Sequence, residues 1–166
     1  DLLERIEIAQ NKKADLLISI HADSFKQKKV RGAVVYTLSK RGASTNMSRW
    51  LVERENAAGT GPKYRERYQK RNDWLESIVF DLKQSQTIAM SLRFAKQLKQ
   101  TLQKNRVRLY KKEIDRGAFV ILTSPSTPSV LIETGFLSNT QDAYLLQKSW
   151  YQNRIARAIS NAVTQS

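Results

Sequence analysis

Apolar residues recur every three or four positions in several stretches of the chain, as they do on the buried face of a helix. Leu2, Ile6 and Ala9 show this spacing at the start of the sequence. The stretches predicted to be helical are residues 2–14, 44–58 and 84–105, and two near the end that begin at Ser138 and Ser149. Each of these serines precedes a glutamine by three positions, which is the spacing of a capping box.

Short, nearly continuous apolar runs lie between these helical patterns. They cover residues 16–20, 32–38 and 130–132. Runs of this kind are typical of strands buried on both faces in a parallel sheet. Because strand and helix patterns alternate, the sequence predicts an α/β fold with a mainly parallel sheet covered by helices on both faces.

Composition limits the classes of protein to which the chain can belong. Its 166 residues, 40% of them hydrophobic, suit a single domain with a packed core over residues 1–166. The absence of cysteine excludes a disulfide scaffold and a thiolate metal site. No apolar run approaches the ~20 residues that a membrane span needs, so no membrane span is predicted.

The charge of the chain favours a polyanionic partner. The sequence has 29 Lys and Arg against 15 Asp and Glu, a net charge of +14. Nucleic acid is one candidate, because Tyr64, Tyr68 and Trp74 are interleaved with basic residues and could stack on bases. The chain carries no recognisable nucleic-acid-binding signature. Teichoic acid, lipid headgroups and cell-wall carboxylates are the other candidates, and charge alone does not choose among them.

Two ionisable residues follow buried strands directly. His21, the single histidine, ends the run at residues 16–20, and Glu133 ends the run at 130–132. In open α/β sheets the strand ends line the ligand crevice. Imidazole is a common zinc ligand, and a carboxylate beside a metal-activated water can serve as a general base. Structural roles, as a hydrogen-bonded histidine and a carboxylate paired with an arginine, remain the alternatives at this point.

Both residues lie in longer segments that resemble a known family. The segments are residues 14–23 (ADLLISIHAD) and 128–139 (PSVLIETGFLSN). Residues 50–58 and 81–85 are similar to further family segments, in the family's order. Together they resemble the zinc-dependent N-acetylmuramoyl-L-alanine amidases of the cell-separation type.

The resemblance implies a function and a site. It implies hydrolysis of the amide between N-acetylmuramic acid and L-alanine in peptidoglycan, with His21 as a ligand of one Zn²⁺ and Glu133 as the catalytic carboxylate. It also implies a periplasmic or cell-envelope location, and a protein activator at the division site. A non-catalytic wall-binding or regulatory relative of the same fold is the alternative.

One part of the family pattern is missing from the sequence. The resemblance implies two more zinc ligands, a histidine in a Gly-His-Gly-Gly-like loop and a glutamate, upstream of the matched region. We therefore expect that an N-terminal strand-helix-strand portion lies before Asp1. We also expect the 166-residue chain alone to be inactive and to bind zinc weakly.

A basic insert at residues 59–76 interrupts the pattern. It begins with a glycine-proline break and holds five positive residues within nine positions. By its position, the resemblance implies a regulatory segment that could cover the active site, with Glu66 or Glu76 masking the metal. A solvated basic loop, or a surface that holds the anionic wall, are the alternatives.

Overall fold

The computed structural model describes residues 1–39, 42–59 and 74–165. Its helices are α1 (Leu2–Asn11), α2 (Asn46–Gly59), α3 (Trp74–Lys104), α4 (Thr140–Leu146) and α5 (Ser149–Thr164). Its strands are β1 (Leu17–His21), β2 (Val34–Leu38), β3 (Asp115–Gly117) and β4 (Ser129–Glu133), and a 3-10 turn spans Val120–Leu122. The α/β class predicted from the sequence is confirmed.

The strands form one sheet in the order β1-β4-β2-β3. β2 runs antiparallel to β4. β1 runs parallel to β4. At the start of the two strands Leu17 N–H donates to the Pro128 carbonyl, and at their end Thr134 N–H donates to the His21 carbonyl, so residue numbers rise in the same direction along both strands. The sheet is therefore mixed. An apolar run predicts a buried strand but does not record its direction, so the antiparallel β2 was not predicted.

Backbone contacts divide the chain into two compact units. The first comprises residues 1–17, 38–91 and 116–129. In it, the Asp1 carboxylate accepts from Leu3 N–H at 2.8 Å and caps α1. The Asn56 side chain donates to the Ala118 carbonyl at 3.0 Å and accepts from Val120 N–H at 2.9 Å. These bonds tie α2 to the turn that follows β3.

The second unit comprises residues 18–37, 92–115 and 130–166. Its buried apolar residues include Leu98, Leu102, Ile132 and Phe136. All residues of β4 are buried, which explains why its three central residues, 130–132, are apolar. This unit contains both candidate site residues at strand ends, His21 and Glu133.

Helix α3 begins ten residues earlier than residue 84, where the sequence pattern placed its start. No glycine or proline lies between Trp74 and Lys104, so nothing in the sequence breaks the helix before its apolar stripe becomes regular. Although α3 has 31 residues, no helix of the described residues is long and apolar enough to cross a membrane.

The two predicted capping boxes are wrong. Helix α4 is capped by Asn139, whose side-chain oxygen accepts from two backbone N–H groups of the first turn. Ser138 instead accepts from Phe25 N–H at 2.9 Å. Helix α5 starts at Ser149 itself, after Lys148, which makes no side-chain cap. Asparagine caps as well as serine does, so spacing alone could not choose between neighbours.

The basic insert lies largely outside the described residues, which omit 60–73. Glu66 belongs to that range, and the side chain of Glu76, in the first turn of α3, is also outside the described part. The regulatory role of residues 59–76 stays a prediction.

Candidate metal centre

Three ionisable side chains, those of His21, Asp23 and Glu133, come together in the second unit. One ligand atom from each lies within 4.8 Å of the other two, and among the described residues this is the group that could hold a metal ion. His21 ends β1 and Glu133 ends β4. The backbone N–H and hydroxyl of Thr134 both donate to the His21 carbonyl, at 2.9 and 2.8 Å, and hold the two strand ends side by side.

Glu133 is completely buried, with 0% of its surface exposed. Its Oε2 accepts from Asp23 N–H at 3.1 Å. On the other side of β4, Glu133 pairs with Val34 of β2. Burying a carboxylate in such a place costs free energy unless it is hydrogen-bonded, paired or used in chemistry. The position therefore marks Glu133 as a functional candidate.

The His21 ring is oriented by Ser19, which lies two residues earlier on the same face of β1. The Ser19 hydroxyl is 2.7 Å from Nε2 of His21. Histidines that bind metals commonly use one ring nitrogen for the ion and the other for a partner of this kind, which fixes the orientation of the ring. The sequence singled out His21 but gave Ser19 no role.

Asp23 is the member of the cluster that sequence reasoning missed. It follows β1 in a loop, and its carbonyl accepts from Leu137 N–H at 2.7 Å. This bond and the contact of its own N–H with Glu133 place the loop against the end of β4. The available signal was a carboxylate two residues after the candidate histidine, in the quoted segment 14–23.

A buried phenol lies near the cluster on the same face of the sheet. Tyr36 is two residues from Val34, so its side chain shares the face of the residue that pairs with Glu133. Burial raises the pKa of Tyr36, and the negative charges of Asp115 and Glu133 raise it further. The phenol therefore stays protonated and adds no negative charge to the site.

The donor set suits a divalent transition metal. One imidazole and two carboxylates are ligands that zinc accepts, at about 2.0–2.2 Å from the ion. Ligands at those distances around a tetrahedral ion lie about 3.4 Å apart, so donors within 4.8 Å need only small side-chain movements. A cation nearby would also offset the cost of burying the Glu133 carboxylate. The residues present therefore fit a metal ion.

The family of the chain follows from comparison with known proteins. The sequence profile described as N-acetylmuramoyl-L-alanine amidase matches residues 1–165. The chain belongs to this amidase family. The resemblance drawn from the two strand-end segments is confirmed.

Named amidases are similar to the chain over most of its length. N-acetylmuramoyl-L-alanine amidase AmiA of Salmonella typhimurium is 41% identical over 164 residues, which are 98% of this chain and 55% of that protein. Amidase AmiC of Escherichia coli O6:H1 is 35% identical over 158 residues, 93% of this chain and 36% of that protein. The chain thus spans about half, or less, of the length of these relatives.

Solved amidase structures share the fold. The catalytic domain of CwlV from Bacillus (Paenibacillus) polymyxa var. colistinus has a TM-score of 0.62 at 20% identity, covering 99% of this chain and 64% of that one. AmiC2 of Nostoc punctiforme has a TM-score of 0.62 at 21% identity, with the same coverage of 99% and 64%. The α/β architecture of this chain is therefore similar to that of about two thirds of each of these solved amidases.

A second buried carboxylate supports the end of β4 in this amidase fold. Asp142 of α4 is 3% exposed. Its Oδ2 accepts from Gly32 N–H at 2.7 Å and from Phe136 N–H at 3.0 Å, and its Oδ1 is 3.7 Å from Nε of Arg31. Asp142 thereby links the start of β2 to the turn after Glu133. No local pattern in the sequence predicts the bond to Gly32, which lies 110 residues away in the chain.

Replacing Asp142 with alanine should lower the free energy of unfolding by about 3 kcal/mol, because two buried N–H groups lose their acceptor. Asp142→Asn, which keeps one acceptor oxygen, should cost less. Urea denaturation measures both. The exposed neighbour Gln141 provides the control, and Gln141→Ala should change stability by no more than about 0.5 kcal/mol. A loss below about 1 kcal/mol for Asp142→Ala would show that water or another group satisfies these N–H groups.

Proposed function

We propose that this chain supplies catalytic residues to a zinc-dependent amidase that cleaves the bond between N-acetylmuramic acid and L-alanine in peptidoglycan. The observation that carries the proposal is the cluster of His21, Asp23 and Glu133, found in a chain that belongs to the amidase family. A single imidazole beside two carboxylates, one of them fully buried, supports a metal site of the kind that hydrolases use.

Each residue of the cluster has a proposed role. His21 binds the zinc ion, with Ser19 holding its ring in place. Glu133 acts as the general base, and Asp23 positions the Glu133 carboxylate through its backbone N–H. Zinc in such a site supplies Lewis acidity toward the scissile carbonyl and lowers the pKa of water.

The proton chemistry falls to Glu133. Its carboxylate accepts a proton from the attacking water as the new carbon–oxygen bond forms. It then donates that proton to the nitrogen of L-alanine as the carbon–nitrogen bond breaks. The products are a free muramoyl carboxyl group and a stem peptide with a free amine. Burial beside the strand ends keeps bulk water from competing for this proton.

Catalytic zinc generally has three protein ligands and one open position. In the roles proposed above, His21 is the zinc ligand that the cluster supplies, because Glu133 serves as the base and Asp23 positions it. The chain spans only 55% of the amidase from Salmonella typhimurium. We propose that the remaining ligands come from outside this sequence. The 166-residue chain alone is then inactive and binds zinc weakly, so tests of activity require the full-length gene product.

We propose a location in the cell envelope, in the periplasm, because peptidoglycan lies there. A protein activator is also part of the proposal. The CwlD amidase from Clostridioides difficile has been solved in complex with the GerS lipoprotein, and its fold is similar, with a TM-score of 0.61. That complex supports the general idea that an amidase of this fold can work with a protein partner.

The proposal is tested by measuring the metal content of the full-length protein and its release of stem peptides from purified peptidoglycan. We expect about one zinc per protein, release that a chelator stops, and recovery when zinc is added back. A metal-free protein that binds peptidoglycan without releasing peptides, even with a candidate activator, would favour the non-catalytic wall-binding alternative.

A further inference from the structure

A lysine-rich loop begins directly beside the metal cluster. Residues 24–31 follow Asp23 and contain four positive residues: Lys26, Lys28, Lys29 and Arg31. The three lysines are exposed. Within the described ranges, no carboxylate forms an ion pair with any of these lysines, whereas Arg31 is held by Asp142. The loop therefore offers three ammonium groups to a ligand.

The start of this lysine loop is tied to the segment that follows Glu133. Phe25 N–H donates to the Ser138 hydroxyl at 2.9 Å, and the Asn139 side chain donates to the Lys28 carbonyl at 2.7 Å. The Phe25 ring also contacts that of Phe136, with centroids 6.4 Å apart. These contacts hold the loop against the segment that directly follows Glu133, a member of the metal cluster.

The end of the lysine loop is fixed as well. Gly32 has a φ of +97°, and a Cβ at this position would lie 2.8 Å from backbone atoms of Leu109 and Tyr110. Only glycine fits there without displacing the backbone. The next residue, Ala33, exchanges backbone hydrogen bonds with Arg108 and Tyr110, at 2.7 and 2.9 Å. Both ends of the loop backbone are therefore held in place.

The first lysine of the loop is close enough in the chain to the cluster for its reach to be compared with the size of the proposed substrate. Lys26 lies three residues beyond Asp23, so the backbone between them spans at most about 10 Å. The second residue of a stem peptide is D-glutamate, whose α-carboxylate is free unless it is amidated. In an extended peptide this group lies about 7 Å from the amide that links L-alanine to muramic acid. A substrate held at the cluster would bring this carboxylate within reach of the loop.

We propose that Lys26, Lys28 and Lys29 bind the free carboxylates of the stem peptide and make the enzyme selective for unamidated, anionic stems. This inference rests on the proposed function, because it takes the cluster to be the cleavage site. Lysine suits the task because its ammonium is a flexible point charge that can follow a mobile carboxylate. General attraction to the anionic wall requires only the net charge of +14, which any part of the surface can supply. Selectivity between stem peptides instead requires cations near the bond that is cleaved, and the loop that follows Asp23 supplies them.

The test replaces all three lysines with glutamine in the full-length protein. The ligands are two muropeptides that differ only in whether the D-glutamate α-carboxylate is free or amidated. We expect the variant to bind the free acid about tenfold more weakly at low salt, as measured by calorimetry, and to show the same rise in KM with kcat unchanged. Binding of the amidated muropeptide should change by less than twofold.

A matched control removes the same charge elsewhere in the second unit. Lys96 and Lys104 of α3 and Arg157 of α5 are exposed, and the variant with all three changed to glutamine should bind both muropeptides like the wild type. An equal loss in this control, or equal losses for the two muropeptides, would overturn the proposal. Weakened binding of soluble polyphosphate with unchanged binding of the acid muropeptide would also overturn it, in favour of a general polyanion surface.

The binding and turnover measurements separate this inference from the proposed function. Selective binding of the free acid that depends on the three lysines supports the loop assignment whether or not hydrolysis follows. Absence of hydrolysis of either muropeptide by the wild-type protein counts against the amidase proposal alone. Turnover of both muropeptides with identical KM values in wild type and variant counts against the loop alone.

Discussion

Replacing Glu133 with glutamine in the full-length protein is expected to lower kcat by about 10²- to 10⁴-fold while leaving the zinc content unchanged. Glutamine has nearly the same shape as glutamate and retains an oxygen that can accept from Asp23 N–H. It cannot take a proton from water. Stem-peptide release gives the rate, and elemental analysis of the purified variant gives the metal content.

The two measurements together assign the role of Glu133. Loss of both zinc and turnover would make this residue a metal ligand, and undiminished turnover would remove it from the mechanism. Asp115 provides the matched control, since it is also buried, at 2% exposed, but pairs with Lys111 at 2.7 Å and lies outside the cluster. Asp115→Asn should lower stability while changing kcat by no more than about twofold, because it leaves the proton acceptor in place.

The candidate site was predictable where it depends on strand ends. Apolar runs at residues 16–20 and 130–132 gave strands that the structure bounds as Leu17–His21 and Ser129–Glu133. Because β1 and β4 are parallel neighbours, their carboxyl ends meet at the same edge of the sheet. The proximity of His21 and Glu133 therefore follows from a pattern that is local in the sequence.

The rest of the site depends on contacts between distant segments. Asp23 enters the cluster through a loop that is held by Leu137 N–H, and Asp142 accepts from the N–H of Gly32, 110 residues away. Hydrogen bonds from side chains to the backbone of remote segments leave no periodicity in the sequence. An aspartate in the first turn of a helix is also common for electrostatic reasons alone, so Asp142 gave no signal of its wider role.

The sequence predicted the α/β class of the fold but not the direction of β2 or the start of α3. The direction of a strand, like the contacts of Asp23, depends on residues that are distant in the chain. Strand direction is decided by pairing, so the antiparallel β2 has the same kind of sequence as a parallel strand. The early start of α3 was missed for a local reason. Its first turns have no breaking residue, yet their periodicity is irregular, so the pattern indicated only residues 84–105.

Replacing His21 with alanine is expected to weaken zinc binding by the full-length protein by more than about 100-fold, and turnover should fall with it. Losing a partner that only orients a ligand costs about 10- to 100-fold in metal affinity, and losing the ligand itself should exceed that range. The measurement is zinc affinity by competition with a chelator of known strength. The thermal midpoint of the variant should no longer rise when zinc is added.

Substitutions of two neighbouring residues on β1 provide a comparison for the loss of zinc affinity in His21→Ala. Ser19→Ala removes the contact at 2.7 Å from Nε2 of His21 and should weaken zinc binding by about 10- to 100-fold. Ile20 lies between them on the opposite face and is 60% exposed, so Ile20→Ala should leave zinc affinity unchanged. The order His21, Ser19, Ile20 is specific to a metal ligand supported by a hydroxyl. If His21→Ala keeps its zinc, the histidine has only a structural role at the end of β1, and the metal, if bound, depends on other residues.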